Sequence, residues 1–210
     1  MSCTQQTGIA MQTHLPLAIR WHGRGGQGVV TASRILATAG LNAGHYLQSL
    51  PDFGAERSGA PIAAHTRLDS SPPVERGPID EPDVIIVLDP SLVGQVDVER
   101  GLAKNGALIL NMRTDGLKLA KELDLGQVQE LWTLDATEIG NRLLKRNLPN
   151  TPVLGAFAKV VPVLALEAIE EALSELMSET FPERIIKANL EALREGYAAV
   201  TRMQEVVNAR

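Results

Sequence analysis

Leu17-Ala18-Ile19-Arg20-Trp21-His22-Gly23-Arg24-Gly25-Gly26-Gln27-Gly28-Val29-Val30-Thr31 is the stretch that decides the fold. The apolar run Leu17–Trp21 suits a buried strand, and four glycines then fall within the six residues 23–28. From Val29 onward, apolar residues recur at Ala32, Ile35, Leu36 and Ala39. That is the spacing of one helical face, so a helix is expected over about 29–43, stopped by Gly44. Strand, glycine turn and helix in this order build an anion cradle. Glycines let the backbone approach a phosphate, and the helix start offers unpaired N–H groups and the positive end of a dipole. Arg24 adds a cation inside the turn. The unit predicts a site for something phosphorylated near residue 25.

Working outward, Tyr46–Leu50 and Ile62–Leu68 read as strands on either side of the loop Pro51-Asp52-Phe53-Gly54-Ala55-Glu56-Arg57-Ser58-Gly59-Ala60-Pro61. Residues 69–82 are broken by Pro72, Pro73, Pro78 and Pro82. Asp83–Leu88 is an apolar buried strand that Asp89-Pro90 ends, and Ala107–Leu110 and Glu130–Leu134 are two more. Helical pieces near 114–123 and 135–146 alternate with these strands. Such alternation predicts an α/β domain, a three-layer α/β/α sandwich with a largely parallel or mixed sheet. The close spacing of 46–50 and 61–68 hints at mixed pairing. From about 153 the chain turns helical. Leu166, Ile169, Leu173 and Leu176 share one face, and Pro182 suits the start of a last helix. Ile186, Leu190, Leu193, Tyr197 and Val200 then form a narrow apolar stripe expected to pack on its own domain. The organisation expected is a flexible leader over 1–15 and one domain over 16–210.

Composition narrows the function classes. Hydrophobic residues make up 44% and aromatic ones only 3%, so the core is filled by Leu, Val, Ile and Ala, as under helices on a parallel sheet. A formal net charge of −5 gives no general attraction for nucleic acid or an anionic membrane. The lone Cys3 cannot form an internal disulfide, a thiolate-bridged cluster or a Cys-rich zinc site. No apolar run reaches the roughly 18 residues a spanning helix needs. The first fifteen residues carry no basic stretch followed by an apolar one, so the cytoplasm is the expected location.

Gly23, Gly25 and Gly28 satisfy G-x-G-x-x-G in the strand–helix context a dinucleotide site requires. Yet the acidic residue that grips a ribose about 20 positions on is missing, since the segment reads His45-Tyr46-Leu47-Gln48-Ser49. A phosphate is expected there rather than a nicotinamide dinucleotide; the plainer alternative is that the glycines only reverse the chain. In the second loop Glu56 and Arg57 stand side by side between Gly54 and Ser58-Gly59, the composition of a gate or of a solvated surface loop. No catalytic residue and no metal site emerge. There is no G-x-S-x-G elbow, Ser33, Ser49, Ser58 and Ser91 have no evident base, and His14, His22, His45 and His65 are not at ligand spacing. His22 reads as a histidine hydrogen-bonded at the strand end, with a phosphate contact as the other possibility. Asp89, Asn111 and Arg113 are weak candidates at strand ends.

The segment His22–Ala32 resembles the opening signature of the gamma subunit, or domain III, of the 2-oxoacid:acceptor oxidoreductases, of which pyruvate:ferredoxin oxidoreductase is the familiar member. Three further segments agree in order and spacing: Pro51–Pro61, Glu81–Pro90 and Asn150–Phe157. The likeness runs from about 17 to 200. It implies a multi-subunit enzyme that decarboxylates a 2-oxoacid on thiamine diphosphate, passes electrons through iron–sulfur clusters to ferredoxin or a similar acceptor, and forms an acyl-CoA. It places thiamine diphosphate, its Mg and the clusters on partner subunits, and gives this chain subunit docking and coenzyme A binding. By the resemblance Arg24, Gly25, Gly26, Gln27, Gly28 and Thr31 bind coenzyme A. Gly54, Glu56, Arg57, Ser58 and Gly59 line the approach to the active site or the subunit interface. Two alternatives stay open: a subunit of an indolepyruvate or other aromatic 2-oxoacid oxidoreductase such as a phenylglyoxylate enzyme, and a stand-alone dinucleotide-binding oxidoreductase.

Overall fold

The computed structural model describes residues 14–52, 59–72, 77–113 and 130–203. Its elements run β1 (Leu17–Arg24), α1 (Val29–Asn42), β2 (Tyr46–Asp52), β3 (Pro61–Asp69), β4 (Val84–Val87), β5 (Ala107–Asn111), β6 (Glu130–Leu134), α2 (Ala136–Ile139), α3 (Asn150–Val160), α4 (Leu166–Ser178), α5 (Glu183–Ala199) and β7 (Thr201–Arg202). The strands form one seven-stranded sheet in the order β2-β3-β1-β4-β5-β6-β7. β1, β4, β5 and β6 are parallel, whereas β3 lies antiparallel between β1 and β2, and β7 closes the far edge antiparallel to β6. The sheet is therefore mixed, as the spacing of the second and third strands foretells.

Alternation along the strands divides the core in two. Leu17, Ile19 and Trp21 of β1, Val84 and Ile86 of β4, and Ala107 and Ile109 of β5 point to a layer that receives the buried faces of α1, α3, α4 and α5. Ile85, Val87, Leu108 and Leu110 point the other way, where Leu92, Val93, Val98 and Leu102 of the segment after β4 cover them. That segment holds a short 3-10 turn, Pro90–Leu92, and no long helix. The helix expected near 114–123 and most of the leader over 1–15 lie outside the described residues.

Several expectations shift in detail. The piece expected over 135–146 is a single turn, α2, that widens into a π-type turn over Gly140–Leu144 and ends at Lys145, whose φ of +57° breaks the helix. The helical region starts at Asn150 rather than near 153. Leu176, expected on the apolar face of α4, is 44% exposed, and the buried line of that helix is Ile169, Ala172 and Leu173. The stripe over 186–200 packs within the chain except at Tyr197, which is exposed. Leu193 and Val200 are buried, and Ile186 and Leu190 sit partly buried against the same core.

Candidate functional site

The carboxyl ends of the four parallel strands share one edge, the place where open α/β sheets bind ligands. β1 delivers Arg24 to this edge, and the turn Gly25–Gly28 leads into α1. Gly26 and Gly28 sit at φ +95° and +80°, a region that penalises side chains, so the turn keeps its shape only with glycine there. Gly28 caps α1 with no side-chain hydrogen bond, and no acidic residue occupies the first turn. Among the described residues the N–H groups of Gly26, Gly28, Val29, Val30 and Thr31 have no partner, while Gly26 and Thr31 are exposed. Gly25 differs. Its N–H donates to the Ala60 carbonyl (3.1 Å), so it fixes the turn and is not a spare donor.

A second helix start meets the first. Asn150 opens α3, again without a side-chain cap or an acidic residue in the first turn. Its side chain lies against Gly28, where a Cβ would come within 2.7 Å of the amide carbon. Asn150 is only 7% exposed, and its Oδ1 has no hydrogen-bond partner. Two helix starts thus meet here with no acidic residue in either first turn, and the orphaned Asn150 atom is a carbonyl oxygen, an acceptor that calls for a donor. Nothing in the sequence signals that residues 28 and 150 touch; only the three-dimensional crossing of α1 and α3 does.

The wall of the cradle is a hydrogen-bonded cluster. Arg24 donates through Nη1 to the Gly59 carbonyl (3.1 Å), through Nε and Nη2 to Ser91 Oγ (3.2 and 2.8 Å), and through Nη2 to Gln95 Oε1 (2.8 Å). It also pairs with Asp89 Oδ2 (3.4 Å). Gln27 donates to Asp89 Oδ2 (2.6 Å) and accepts from the Arg24 N–H (2.8 Å). Burial alone would push the Asp89 carboxyl up. Hydrogen bonds from Ser91 and Gln27, with the Arg24 charge, outweigh it and hold the group below the ordinary carboxylate range. The two sequence motifs therefore meet: Gly59 and Ala60, at the end of the second loop, are bonded to Arg24 and Gly25 of the first. Gly54, Glu56, Arg57 and Ser58 lie outside the described residues.

The remaining candidates separate. His22 points to the opposite face of the sheet from the helices and accepts from Arg20 Nε (3.1 Å). Burial, then the charges of Arg20 and His65, depress its pKa to about 4, so it is a neutral acceptor in the strand and not a phosphate ligand. Asn111 braces the edge, donating to the Leu88 carbonyl (2.7 Å) and Thr137 Oγ1 (2.9 Å) while accepting from the Thr137 N–H (3.2 Å). Arg113, 3.9 Å from Asp135, borders an open recess of about 490 Å³ with Thr137, Glu138, Asn141 and Arg142. Among the described residues no cluster of His, Cys, Asp and Glu is placed to hold a metal ion, and no helix is long and apolar enough to cross a membrane.

The class these features define is an α/β domain with a mixed sheet whose first strand leads through a glycine turn into a helix at the carboxyl edge of the parallel strands. The family model for pyruvate ferredoxin/flavodoxin oxidoreductase matches residues 18–199. The chain is 42% identical over 182 residues to the pyruvate synthase subunit PorC of Thermotoga maritima, covering 87% of this chain and 93% of that one. It is 43% identical over 176 residues to the pyruvate/ketoisovalerate oxidoreductases common subunit gamma of Thermococcus kodakarensis, covering 84% and 95%. The crystal structure of the Thermotoga maritima pyruvate oxidoreductase subunit PORC superposes with a TM-score of 0.79 at 38% identity, over 90% of this chain and 99% of that one. A 2-oxoglutarate:ferredoxin oxidoreductase from Magnetococcus marinus shares the fold, with a TM-score of 0.71 at 20% identity over 89% of this chain and 31% of that one. The chain belongs to the pyruvate ferredoxin/flavodoxin oxidoreductase family and is of its gamma-subunit type.

Proposed function

We propose that this chain is the subunit of a 2-oxoacid:ferredoxin oxidoreductase that binds the phosphates of coenzyme A and docks against sister subunits carrying thiamine diphosphate and the iron–sulfur clusters. The observation that carries the reading is the meeting of two uncapped helix starts beside the glycine turn, where the Gly26 and Thr31 N–H groups are exposed and without a partner among the described residues. Coenzyme A presents a diphosphate and a 3′-phosphate, which call for N–H donors and positive potential. Charge-assisted hydrogen bonds of this kind contribute about 1.5–3 kcal/mol each. Gly26, Gly28 and Thr31 supply donors, while Arg24, Gly25 and Gln27 hold the turn that aims them. Gly59, with Gly54, Glu56, Arg57 and Ser58 before it, lies on the approach.

Topology argues against a nicotinamide dinucleotide. The ribose carboxylate of that class sits at the end of a parallel strand adjoining the first. Here the strand that follows α1 is β2, which lies beyond antiparallel β3 about 10 Å from β1, and the parallel neighbour of β1 is β4, on the other side. A thiolate-bound cluster needs several cysteines and this chain has one, which favours sister subunits as its holders. The names of the relatives favour pyruvate or a branched-chain 2-oxoacid as substrate.

Thr31→Glu in the purified complex tests the coenzyme A reading, because it pulls two properties in opposite directions. A carboxylate in the first turn of α1 stabilises the helix by about 0.3–1 kcal/mol, yet it repels an incoming phosphate. The expected result is an unchanged or raised Tm, a KM for coenzyme A raised about tenfold, and an unaltered KM for the 2-oxoacid. An unchanged KM for coenzyme A would overturn the reading.

A further inference from the structure

We propose that Asp89 is a positioning residue: it holds the anion cradle open in its working shape and fastens the Gly59–Ala60 segment over it. The inference rests on the coenzyme A reading for the ligand, but not for its geometry. A carboxylate so near an anion site needs a reason, since left free it would repel the ligand.

The hydrogen bonds supply that reason. Among the described residues the carboxylate makes four contacts. Oδ1 accepts from the Ser91 N–H (3.0 Å) and the Ser91 hydroxyl (2.6 Å). Oδ2 accepts from Gln27 Nε2 (2.6 Å) and pairs with Arg24 Nε (3.4 Å). Through Gln27 the carboxylate reaches the turn, because Gln27 Oε1 receives the Arg24 N–H (2.8 Å). Through Arg24 it reaches the second loop, because Arg24 Nη1 donates to the Gly59 carbonyl (3.1 Å). The Asp89 side chain is 14% exposed and that of Arg24 25%, so the pair is largely withdrawn from solvent. The local chain favours this placement: Asp89 precedes Pro90, is extended at φ −118° and ψ 108°, and stands at the end of β4 beside β1.

A consequence follows for Arg24. Its charge is matched by Asp89, and Ser91, Gln95 and Gly59 take four of its five N–H donors before any ligand arrives. It therefore acts as a clasp between the two motifs, and the phosphate is left to the backbone N–H groups of Gly26 and the first turn of α1. The two roles for Arg24 predict opposite signs. Were Arg24 a phosphate ligand restrained by Asp89, removing the Asp89 charge would free a cation and tighten coenzyme A. If Asp89 positions the cradle, its loss weakens coenzyme A.

The decisive variant is Asp89→Asn in the purified complex, with Ser91→Ala as a milder cut of the same cluster should the first fail to assemble. Expected are a KM for coenzyme A raised about tenfold, a kcat within about twofold at saturating coenzyme A, and faster hydrogen exchange at the Arg24 and Gly25 amides. Ser91→Ala moves the same quantities in the same direction by less. A lowered or unchanged KM for coenzyme A, in a complex where Thr31→Glu does raise it, would overturn the inference alone. If neither variant moves that KM while Asp89→Asn still speeds the exchange, the coenzyme A reading fails and the positioning role stands. Unchanged exchange at both amides defeats the positioning role whatever the kinetics show.

Discussion

The two faces of the sheet are held by different physics. On the helical face, Leu17, Ile19 and Trp21 of β1 are fully buried under α1, α3 and α4, and the Trp21 side chain donates from Nε1 to Thr66 Oγ1 (3.0 Å). On the other face the same strand presents Arg20 and His22, and β3 brings His65 opposite Arg20. Arg20 is 8% exposed and donates to the carbonyls of Ile79 (3.4 Å), Val98 (3.2 Å) and Arg100, as well as to His22. One side is a close-packed apolar layer whose strength is area and fit. The other is covered by irregular chain on either side of β4, residues 77–83 and 89–106, tied to the sheet by the buried Arg20 and by His65 and backed by a smaller apolar cluster. The difference teaches where the site gets its shape. β4 lies between the two tied stretches and Asp89 begins the second, so the cradle wall is placed by directional bonds, whereas the cradle floor, α1, is placed by packing.

The comparison breaks most severely at the helical face. α3 and α5 cross with backbone against backbone. A Cβ on Gly155 would strike the Leu193 carbonyl, and one on Gly196 would strike the Pro152 carbonyl and lie 2.7 Å from the Pro152 Cα. No rotamer relieves a clash with backbone, so the helices must separate and uncover Val153, Phe157 and Leu193. Gly196→Val is expected to destabilise the chain by more than about 4 kcal/mol, read as a lost or strongly lowered Tm. A Gly196→Val protein with near-native Tm would show that the helical layer is not packed in this way.

The loop face breaks less. Arg20→Met keeps length and apolar bulk but leaves the carbonyls of Ile79, Val98 and Arg100 without their donor. The expected loss is about 2–3 kcal/mol, and it is local. Hydrogen exchange should quicken at the Ile79 amide, which donates to His65 Nδ1 (3.1 Å), while the α1 amides keep their protection. Equal loosening on both faces would erase the distinction between them.

The same division explains what could be read from the sequence. Elements whose side chains answer to one burial pattern were legible: β6 falls on Glu130–Leu134 as expected, and β1, α1, β3, β4 and β5 fall within three residues at each end. The glycine turn was legible because Gly26 and Gly28 serve a backbone conformation that few other residues adopt. β7 was missed since two residues carry no periodicity. The contact of Asn150 with Gly28 and the cluster around Asp89 were not legible either. Each joins segments more than sixty residues apart through single polar atoms, and such pairs leave no spacing to find. Asp89 in particular looks like an ordinary turn former before proline until Gln27 and Arg24 are seen beside it.

His22 offers the smallest and most discriminating test of the loop face, because its effect changes sign with pH. Folded, its pKa is about 4, set first by burial and then by the charges of Arg20 and His65; unfolded, it titrates near the ordinary histidine value of about 6.5. Between these values the unfolded chain binds a proton that the folded chain refuses. The imidazole therefore contributes its full stability above about pH 6.5, and that contribution falls away as pH drops toward 4, by up to about 3 kcal/mol. His22→Gln keeps a side-chain oxygen that can accept from Arg20 Nε but has no proton to take up. At pH 7.5 the variant is expected to lose no more than about 1 kcal/mol, the difference in fit of one hydrogen bond. Near pH 4.5 the order reverses and the variant becomes the more stable protein. Denaturant unfolding of both proteins across pH 4.5–7.5 measures the two lines. They cross if the imidazole is neutral and enclosed beside Arg20, and they run parallel if His22 is as open to water as the rim of the cradle.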